Sequence, residues 1–244
     1  MESTKTRILK KLLETDGYLS GQELCEQLGV SRTAVWKYMK QLKEEGYEIE
    51  AVQNKGYCLK DVPDVLGESE IKSRLHTRWV GQTLYYYDEI DSTNTQIKRL
   101  AEEDAPHGTL AVADYQSRGK GRRGRAWDSP HGSAIYMSIL FRPEIRPDRA
   151  SMLTLVIGLS VTQAIRSNLG LQAQIKWPND VVLNGKKLVG ILTEMSAQMN
   201  YIEYLVTGIG INANLREFPE ELEDKATSLQ KEIGHKVKIG RAHV

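Results

Sequence analysis

The stretch DVVLNGKKLVGILTEM, residues 180–195, decides the fold class of the larger part of the chain. Two apolar runs flank Asn184-Gly185, and Asn-Gly between such runs is the strongest short-range signal for a tight hairpin. A hairpin joins antiparallel neighbours, so the stretch predicts an antiparallel pair of strands within a sheet. Lys187 is the one charged residue among the apolar residues that follow Lys186, up to Thr193.

Further strands and helices surround this hairpin in the sequence. Apolar runs predict strands at residues 84–87, 108–116 and 132–141, and another that begins at residue 201 and ends in a glycine-rich loop. Helical patterns predict helices at 92–104 and 151–170, and the second is apolar almost all round, as in a helix packed deep against a sheet. Hairpins outnumber strand-helix-strand crossovers. We therefore expect an α+β fold with a central mixed or antiparallel sheet and helices on one face.

The composition limits the class of protein. A chain of 244 residues is longer than most single cores and indicates two domains. The 33 basic and 32 acidic residues nearly cancel, so any binding of an anion must be local. Cys25 and Cys58 have no CxxC partner, which argues against a disulfide framework or a zinc site. The N-terminus lacks the apolar segment of a signal peptide, and no window approaches a membrane span, so we expect a cytoplasmic protein without a membrane partner.

The first sixty residues predict a small helical fold followed by a hairpin. Apolar residues at helical spacing run from Ile8 to Leu13, and SGQE at residues 20–23 has the form of a capping box for a second, short helix. Ser31 can cap a third helix, and YEIEAVQNKGYCLK after it predicts two strands around residues 54–56. Together these elements predict a winged helix-turn-helix, a DNA-binding fold, in residues 1–62.

The third helix contains most of the residues expected at DNA. Its N-terminal end offers hydroxyl groups and an arginine, which suit base edges and phosphates in a major groove. For Trp36 we expect the core, where aromatic residues are commoner, with the edge of the groove as the alternative. The predicted DNA-binding residues are Ser31, Arg32, Thr33, Trp36, Lys37 and, at the hairpin tip, Lys55. Residues 1–60 hold ten basic and nine acidic residues, so charge alone does not argue for DNA, and a protein-interaction domain is the alternative.

An acidic stretch without an apolar period, DVPDVLGESE at residues 61–70, separates this part from the rest of the chain. Its composition, with one proline and one glycine, is typical of a domain boundary. We therefore predict a linker at residues 63–68 and a second domain at residues 69–244.

A glycine-rich basic stretch, RGKGRRGRAW, occupies residues 118–127 between two predicted strands. Glycines let a backbone approach a ligand closely, and cations neutralise phosphate or carboxylate charge. The stretch is not a P-loop, because neither Ser nor Thr follows the lysine and a strand follows where a helix should. Taken alone, it fits a solvated or RNA-binding loop equally well.

Two other features favour a small anionic ligand. KWPND at residues 176–180 places a tryptophan, a turn-forming proline and two short polar side chains together. Lys187 lies in an apolar strand, where an ammonium group is costly to bury unless an anion meets it. The alternative for Lys187 is an edge strand from which the charged end reaches solvent.

These motifs, in their order along the chain, resemble those of the biotin–protein ligase family. The resemblance rests on DSTN (91–94), YQSRGKGRRGRAW (115–127), SPHG (129–132), KWPNDVVLNGKKLVGIL (176–192) and TGIGINAN (207–214). With SRTAVWK in a winged helix before them, the chain is most similar to the bifunctional bacterial members that are also biotin operon repressors. The resemblance covers essentially the whole chain.

The resemblance implies a reaction and a set of site residues. Such enzymes use ATP and Mg²⁺ to convert biotin to biotinyl-5′-AMP and then transfer biotin to a lysine of a biotin carboxyl carrier protein. The expected biotin contacts are Ser92, Thr93, Asn94, Gln116, Lys120, Gly121, Arg122 and Lys187. Arg122 and Lys187 are the expected catalytic residues, because two anions meet when the carboxylate approaches the α-phosphate. The expected adenylate side comprises Gly119, Trp127, Trp177, Asn179, Asp180 and Asn212, with Asp180 as the candidate magnesium ligand.

Two departures from the family pattern accompany the resemblance. Lys120 replaces an arginine of the usual GRGRRGR, which keeps the charge but loses the planar fork of a guanidinium. The small β-barrel at the C-terminal end of the family, which helps to hold ATP in relatives, is expected to be absent from this chain. The resemblance also implies that bound adenylate orders a homodimer, which places two winged helices at the spacing of a two-fold operator DNA.

Two alternative functions remain at the level of the sequence. The chain could be a biotin-sensing transcription factor without catalysis, which an intact KWPND and the two cations Arg122 and Lys187 argue against. A ligase or transferase for lipoate or octanoate would need a longer, more apolar pocket than DSTN and Gln116 indicate.

Overall fold

The computed structural model describes residues 3–241 of the chain. It divides into two compact units, Met1–His76 and Thr77–Val244. The first unit contains helices α1 (Thr4–Glu14), α2 (Gly21–Leu28) and α3 (Arg32–Glu44), strands β1 (Glu48–Val52) and β2 (Gly56–Asp61), and helix α4 (Glu68–Arg74). The predicted winged helix-turn-helix is thereby confirmed.

Serine caps and one apolar core organise the first unit. Ser3, Ser20 and Ser31 each accept a hydrogen bond from a backbone N–H in the first turn of α1, α2 and α3. Leu9, from α1, and Leu42, from α3, are fully buried in the core that the three helices share with the hairpin. The caps satisfy N–H groups that have no partner within a helix, and the core supplies most of the stabilisation.

Trp36 is exposed over 60% of its surface, so the expectation that it lies in the core is wrong. Val35 and Met39 take the inward face of α3, with 2% of their surface exposed. Successive residues of a helix are rotated by about 100°, so the residue after Val35 cannot share that inward face. The indole therefore lies on the solvent face of α3. This position is compatible with the alternative expectation, a contact at the edge of a DNA groove.

Helix α4 belongs to the first unit. The carboxylate of Glu70 is buried and accepts hydrogen bonds from Tyr47 Oη at 2.7 Å and Arg74 Nε at 2.6 Å. Burial and the hydrogen bond to Glu70 raise the pKa of the Tyr47 hydroxyl. The acidic residues at 68–70, which suggested a linker in the sequence, form the first turn of α4, where the helix dipole favours negative charge.

The second unit is built on a seven-stranded mixed sheet. In chain order it contains β3 (Leu84–Ile90), α5 (Thr93–Glu102), β4 (Leu110–Gln116), β5 (Ala134–Phe141), α6 (Ala150–Leu169), β6 (Gln174–Lys176), β7 (Asp180–Leu183), β8 (Lys186–Ala197), β9 (Ile202–Asn212) and α7 (Leu229–Ile233). The strand order is β3-β4-β5-β9-β8-β7-β6, with β3 and β4 parallel and all other neighbours antiparallel. The α+β class and the mixed sheet are confirmed, and so is the hairpin at Asn184-Gly185, where both residues have positive φ.

Helices lie on both faces of this sheet, whereas the sequence suggested helices on one face. Helix α5 packs on the face that includes Leu140 and Val206. Thr154 of α6 contacts Thr193, which pairs with Thr207, the neighbour of Val206 on β9. Successive residues of a strand point to opposite faces, so α5 and α6 cover opposite faces. The sequence pattern contains no signal for the face of a sheet on which a helix packs.

Helix α6 is less deeply packed than its apolar sequence suggested. Ile157, Val161 and Ile165 are buried, whereas Met152 and Val156 expose more than half of their surface. Only one side of a helix can contact a sheet, so the apolar residues on its other sides remain exposed. Within residues 3–241, the segment 147–169 is the one helix whose length and composition would suffice to cross a membrane. A helix that packs on a sheet passes the same test.

Candidate active site

A cleft on the α5 face of the sheet brings the sequence motifs together. The space between its walls, including the open mouth, is about 450 Å³. Its lining residues are Ser92, Thr93, Asn94, Gln116, Lys120, Gly121, Arg122, Trp127, Asn179, Lys187, Gly190, Ile191, Leu192, Gly208, Ile209 and Gly210. All eight residues predicted from the resemblance to contact biotin therefore line one cleft.

The closed end of the cleft is a chain of buried polar groups. Gln116 Oε1 accepts hydrogen bonds from Thr93 N at 2.8 Å and Thr93 Oγ1 at 3.1 Å. Ser138 Oγ lies 2.7 Å from Thr93 Oγ1 and 2.6 Å from Asn94 Oδ1. Ser138 is fully buried, although it belongs to the apolar strand β5. The motif DSTN, the end of β4 and the middle of β5 thus meet at one point.

This chain of contacts has more acceptors than donors. Two hydroxyl protons, from Thr93 and Ser138, are available for three oxygen–oxygen contacts that end at two amide oxygens. The amide orientations are fixed, because Asn94 Nδ2 donates to Glu194 Oε2 at 2.8 Å and Gln116 Nε2 donates to Ser129 Oγ at 3.0 Å. One contact therefore has no proton, and the oxygen that receives none is free to accept from a ligand N–H.

Three glycines make the floor of the cleft. A Cβ atom on Gly190 of β8 would lie 2.6 Å from Trp127 Cζ3, and one on Gly210 of β9 would lie 2.8 Å from Trp127 Cε2. A Cβ on Gly208 would lie 2.1 Å from Asn94 Oδ1. The bare backbone thus lets the indole of Trp127 and the amide of Asn94 lie directly on the sheet. Gly208 and Gly210 are inside β9, not in the glycine-rich loop that the sequence suggested.

The basic loop closes over the cleft through two contacts. Lys120 Nζ donates to Thr95 Oγ1 of α5 at 2.9 Å. Arg122, on the next turn of the loop, donates to Asn179 Oδ1 of KWPND at 2.8 Å. The loop therefore connects the start of α5 to the segment before β7. The sequence analysis did not identify Thr95 as a site residue, because nothing in the sequence indicated that the residue after DSTN contacts the loop.

Lys187 lies at the mouth of the cleft in an ion pair. Its Nζ is 2.7 Å from Asp180 Oδ1, which accepts no aligned hydrogen bond, and 5.2 Å from the centroid of the Trp127 ring. The side chain of Lys187 is one-third exposed, and the antiparallel pairing of β7 and β8 places it beside Asp180. The ammonium group can turn towards an anionic ligand, but Asp180 Oδ1 is buried, so another cation must then take its place beside the carboxylate.

The remaining residues predicted for the adenylate side take different places. Trp127 and Asn179 line the cleft, and Gly119 O accepts a hydrogen bond from Trp127 N. Trp177 exposes 77% of its surface, so its indole is free to cover a nucleotide. Asn212 is buried and donates to Thr227 O at 3.1 Å, which indicates a structural role in this state.

Asp180 alone does not form a metal cage. Within residues 3–241, no group of three or more His, Cys, Asp or Glu side chains could hold a metal ion. Mg²⁺ is commonly bound through one or two carboxylates and the phosphates of a substrate. The residues present fit a magnesium ion that arrives with a nucleotide, and Asp180 would be its carboxylate ligand.

The residues predicted for DNA lie in the first unit, on α3 and the hairpin. All six are exposed, including Thr33 and Lys37 on the same side as Trp36. Arg32 donates to Gln22 Oε1 of α2 at 2.8 Å, which joins the two helices of the helix-turn-helix. Lys55 lies 5.6 Å from the ring of Tyr18 at the hairpin tip.

Comparison with known proteins agrees with this division. The biotin/lipoate A/B protein ligase family matches residues 86–212, and an HTH domain matches residues 4–58. The bifunctional ligase/repressor BirA of Bacillus spizizenii is 47% identical over 241 residues, which cover 97% of this chain and 74% of that protein. The BirA of Escherichia coli is 34% identical over 91% of this chain and 68% of its own length.

A solved structure shows the same fold for the larger unit. The biotin protein ligase of Aquifex aeolicus, in complex with biotin and ATP, aligns with a TM-score of 0.56 and 38% identity, over 66% of this chain and 68% of its own. The ligase match includes more than half of the residues and every strand of the cleft floor. The chain belongs to the biotin/lipoate A/B protein ligase family, with an HTH domain ahead of its ligase region.

Proposed function

We propose that the chain activates biotin with ATP to form biotinyl-5′-AMP, transfers biotin to a lysine of a carrier protein, and represses transcription by binding operator DNA. Relatives named as bifunctional ligase/repressor share nearly the whole chain, and a ligase with biotin and ATP bound shares the fold of the larger unit. The observation that decides the substrate is the surplus of acceptors at the closed end of the cleft.

The ureido ring of biotin matches that surplus. It has two N–H donors and one carbonyl acceptor, and Thr93 Oγ1 and Gln116 Oε1 are positioned to accept from an N–H. Ser92, Thr93, Asn94 and Gln116 would hold this ring. Lipoate and octanoate have no N–H donor at that end, and burying them would leave the same polar chain short of a proton. This favours biotin over both.

The first reaction joins two anions. A carboxylate oxygen of biotin attacks the α-phosphorus of ATP, the bond from that phosphorus to the bridging oxygen breaks, and pyrophosphate leaves. Arg122 and Lys187 are positioned at the mouth of the cleft, where they would neutralise the carboxylate and the α-phosphate as they meet. Lys187 would leave Asp180 for this role. A magnesium ion on the nucleotide, held by Asp180, would supply further neutralisation of the phosphates.

The second reaction needs no nucleophile from this chain. The amine of the carrier lysine attacks the mixed anhydride, the carbon–oxygen bond to AMP breaks, and the amine loses a proton. Before that, the closed loop would shield the anhydride from water through the Lys120–Thr95 and Arg122–Asn179 contacts. Trp127, on the glycine floor, would cover the apolar chain of biotin, and Gly119, Gly121, Trp177 and Asn212 would line the adenylate side.

The repressor role rests on α3 and the hairpin. We infer that adenylate stabilises a homodimer that holds two winged helices at the spacing of a two-fold operator site. The carrier protein and the operator are partners that the relatives' activities require. We also place the protein in the cytoplasm, where ATP, the carrier and DNA occur together. We assign the repressor role to the first unit, Met1–His76, and the ligase role to the second, Thr77–Val244; the domains predicted from the sequence for these roles were 1–62 and 69–244.

The non-catalytic sensor is the alternative function. It would bind biotin in the same cleft without forming adenylate. This is possible because the polar groups for the ureido ring and the cations for adenylate formation lie at different ends of the cleft.

The experiment that separates these functions is labelling of a purified biotin carboxyl carrier domain, followed by mass spectrometry of its lysine. With ATP and Mg²⁺, biotin should add one biotinyl group, while lipoate and octanoate should add nothing. Labelling with lipoate in place of biotin would contradict the substrate assignment. Binding of biotin by calorimetry without labelling or release of pyrophosphate would favour the sensor.

A further inference from the structure

Glu194 of β8 lies behind the biotin end of the cleft, outside its lining. Its carboxylate accepts from Asn94 Nδ2 at 2.8 Å and from Lys98 Nζ at 2.6 Å, and so joins the sheet to the first turns of α5. Burial acts to raise the pKa of this carboxyl group, but the hydrogen bonds from Lys98 and Asn94 outweigh burial, and the pKa lies below its ordinary value. Glu194 is therefore an anion in contact with the polar chain of the cleft.

The position of the anion sets the polarity of that chain. With Asn94 Nδ2 committed to Glu194, Asn94 Oδ1 must face Ser138 Oγ, 2.6 Å away. An anion that accepts from one end of an amide strengthens the acceptor at the other end, because hydrogen bonds in series polarise one another. Ser138 then donates towards Asn94 and not towards Thr93, while Thr93 Oγ1 donates to Gln116 Oε1. Thr93 Oγ1 is thereby left without a donor from Ser138, so a ligand N–H can donate to it.

We propose that Glu194 is a positioning residue that makes the closed end of the cleft an acceptor of ligand N–H groups, and so determines selection of the ureido ring. Lys98 holds the Glu194 carboxylate and limits its rotation. Gly208 is part of the same arrangement, since it gives Asn94 Oδ1 the room to lie on β9. This inference rests on the proposed function, because it assumes that the ligand is biotin.

The test is Glu194→Gln in the full chain. A glutamine keeps the shape but has no charge, and its own N–H₂ can turn towards Asn94 Oδ1 and reverse the chain. The probes are biotin and desthiobiotin, which has the same ureido ring but lacks the sulfur-containing ring. Titration calorimetry gives Kd for both, and pyrophosphate release at saturating biotin gives kcat.

The matched control is Glu203→Gln on the neighbouring strand β9. Glu203 also accepts two hydrogen bonds, from Ser196 and Gln198, and they likewise hold the pKa of its carboxyl below the ordinary value. These partners lie outside the cleft. The control therefore reports the cost of removing a bonded carboxylate without altering the polarity of the cleft.

The expected result is a Kd about tenfold higher for both biotin and desthiobiotin in Glu194→Gln than in Glu203→Gln, with kcat unchanged. Lys98→Met should raise both Kd values by a smaller factor, and Lys98→Arg should restore them. Unchanged Kd values, or a loss of kcat in parallel with the rise in Kd, would overturn the proposal. If the unmodified chain itself does not bind biotin, the proposed function fails first, and the wild-type titration shows this separately.

Discussion

At the scale of single residues, the shape of the cleft depends on three glycines. Gly190, Gly208 and Gly210 leave room for Trp127 and Asn94 to lie on the sheet. Trp127 Nε1 is buried without a hydrogen-bond partner among the described residues, so the indole is held by packing, by its backbone bond to Gly119 and by the nearby Lys187. The packing of Trp127, at the end of the basic loop, therefore depends on the absence of a Cβ atom at Gly190 of β8.

Gly190→Ala should expel Trp127 from the floor of the cleft, because the new Cβ would lie 2.6 Å from the ring. Overpacking of this kind costs about 1–3 kcal/mol, so we expect adenylate to dissociate about tenfold faster or more. Rapid-quench measurement of adenylate retention gives the rate. Gly158→Ala in α6 is the control, since its Cβ would be 3.6 Å from the nearest atom. Equal retention in both variants would contradict this account.

The ionisation of Glu194 gives a prediction for pH. Its folded-state pKa is lowered, so its contribution to stability is complete above the ordinary glutamate range of about 4 to 5 and disappears as the pH falls through the lowered value. The difference in unfolding free energy between the wild type and Glu194→Gln should be constant from pH 8 to about pH 5. It should shrink at more acidic pH. Urea unfolding at several pH values checks this, and a difference that grows towards acid would have the wrong sign.

The sequence predicted many of these residues but not their partners. DSTN, Gln116 and the basic loop were identified by their resemblance to a family, and the structure brings them into one cleft. Glu194 contacts Asn94 across 100 positions of sequence, and Ser138 is one polar residue in an apolar strand. Such contacts arise only when the strand order is known. The alternation of glycines in TGIG was a usable signal for a bare face of a strand, although it was taken for a loop.

At the scale of elements, the basic loop is held at both ends of the cleft. Lys120 replaces the usual arginine, and its single ammonium group suits the single hydroxyl of Thr95. Because the contact is exposed, its net contribution is modest. No partner for Lys120, in place of the usual arginine, was evident from the sequence, and the structure shows that this partner is Thr95.

Lys120→Met should open the loop and speed adenylate release by roughly threefold to tenfold. Thr95→Val should have a similar effect, and the double variant should add little, because both changes remove the same contact. Arg123→Met is the control, since Arg123 is exposed on the same loop and does not line the cleft. Additive losses in the double variant would show that Lys120 and Thr95 act separately.

The start of helix α3 at the Ser31 cap was predicted correctly, but the direction of Trp36 was not. The serine cap and the apolar spacing determine the helix, whereas a general preference of tryptophan for the core gave the wrong face. An exposed tryptophan between Thr33 and Lys37 is suited to a contact at the groove of DNA. The helical period itself, with Val35 and Met39 inward, was the more reliable signal.

Trp36→Ala should weaken binding of the adenylate-bound protein to operator DNA by on the order of tenfold, because exposed aromatic residues at interfaces contribute strongly when buried. It should leave Tm nearly unchanged, since the indole is 60% exposed in the free protein. Fluorescence anisotropy with sites selected from random duplex DNA measures the first effect. A fall in Tm comparable with that of Val35→Ala, a core variant, would mean that Trp36 supports the fold instead.

At the scale of the whole molecule, two compact units divide near His76. The composition of residues 61–70 suggested an earlier boundary, because the acidic first turn of α4 has the same composition as a linker. A buried contact, the one between Glu70 and Tyr47, is what assigns α4 to the first unit. Contacts of this kind cannot be inferred from local composition.

A fragment of residues 1–76 should therefore be more stable than a fragment of residues 1–64. Removing α4 leaves Tyr47 without the buried carboxylate and exposes the side of α1 that α4 covers, at a cost of about 3 kcal/mol. Thermal unfolding of both fragments by circular dichroism measures the difference. Glu70→Gln in the longer fragment should reproduce part of it. Equal stability of the two fragments would place α4 outside the first unit.

If the cleft joins biotin to ATP, this chain should release pyrophosphate in the presence of ATP and Mg²⁺. The release should require biotin, should not occur with lipoate, and should fall by at least about a hundredfold in Lys187→Met, which removes a preorganised cation from the reacting anions. Release that is independent of biotin, or unchanged in Lys187→Met, would contradict this mechanism.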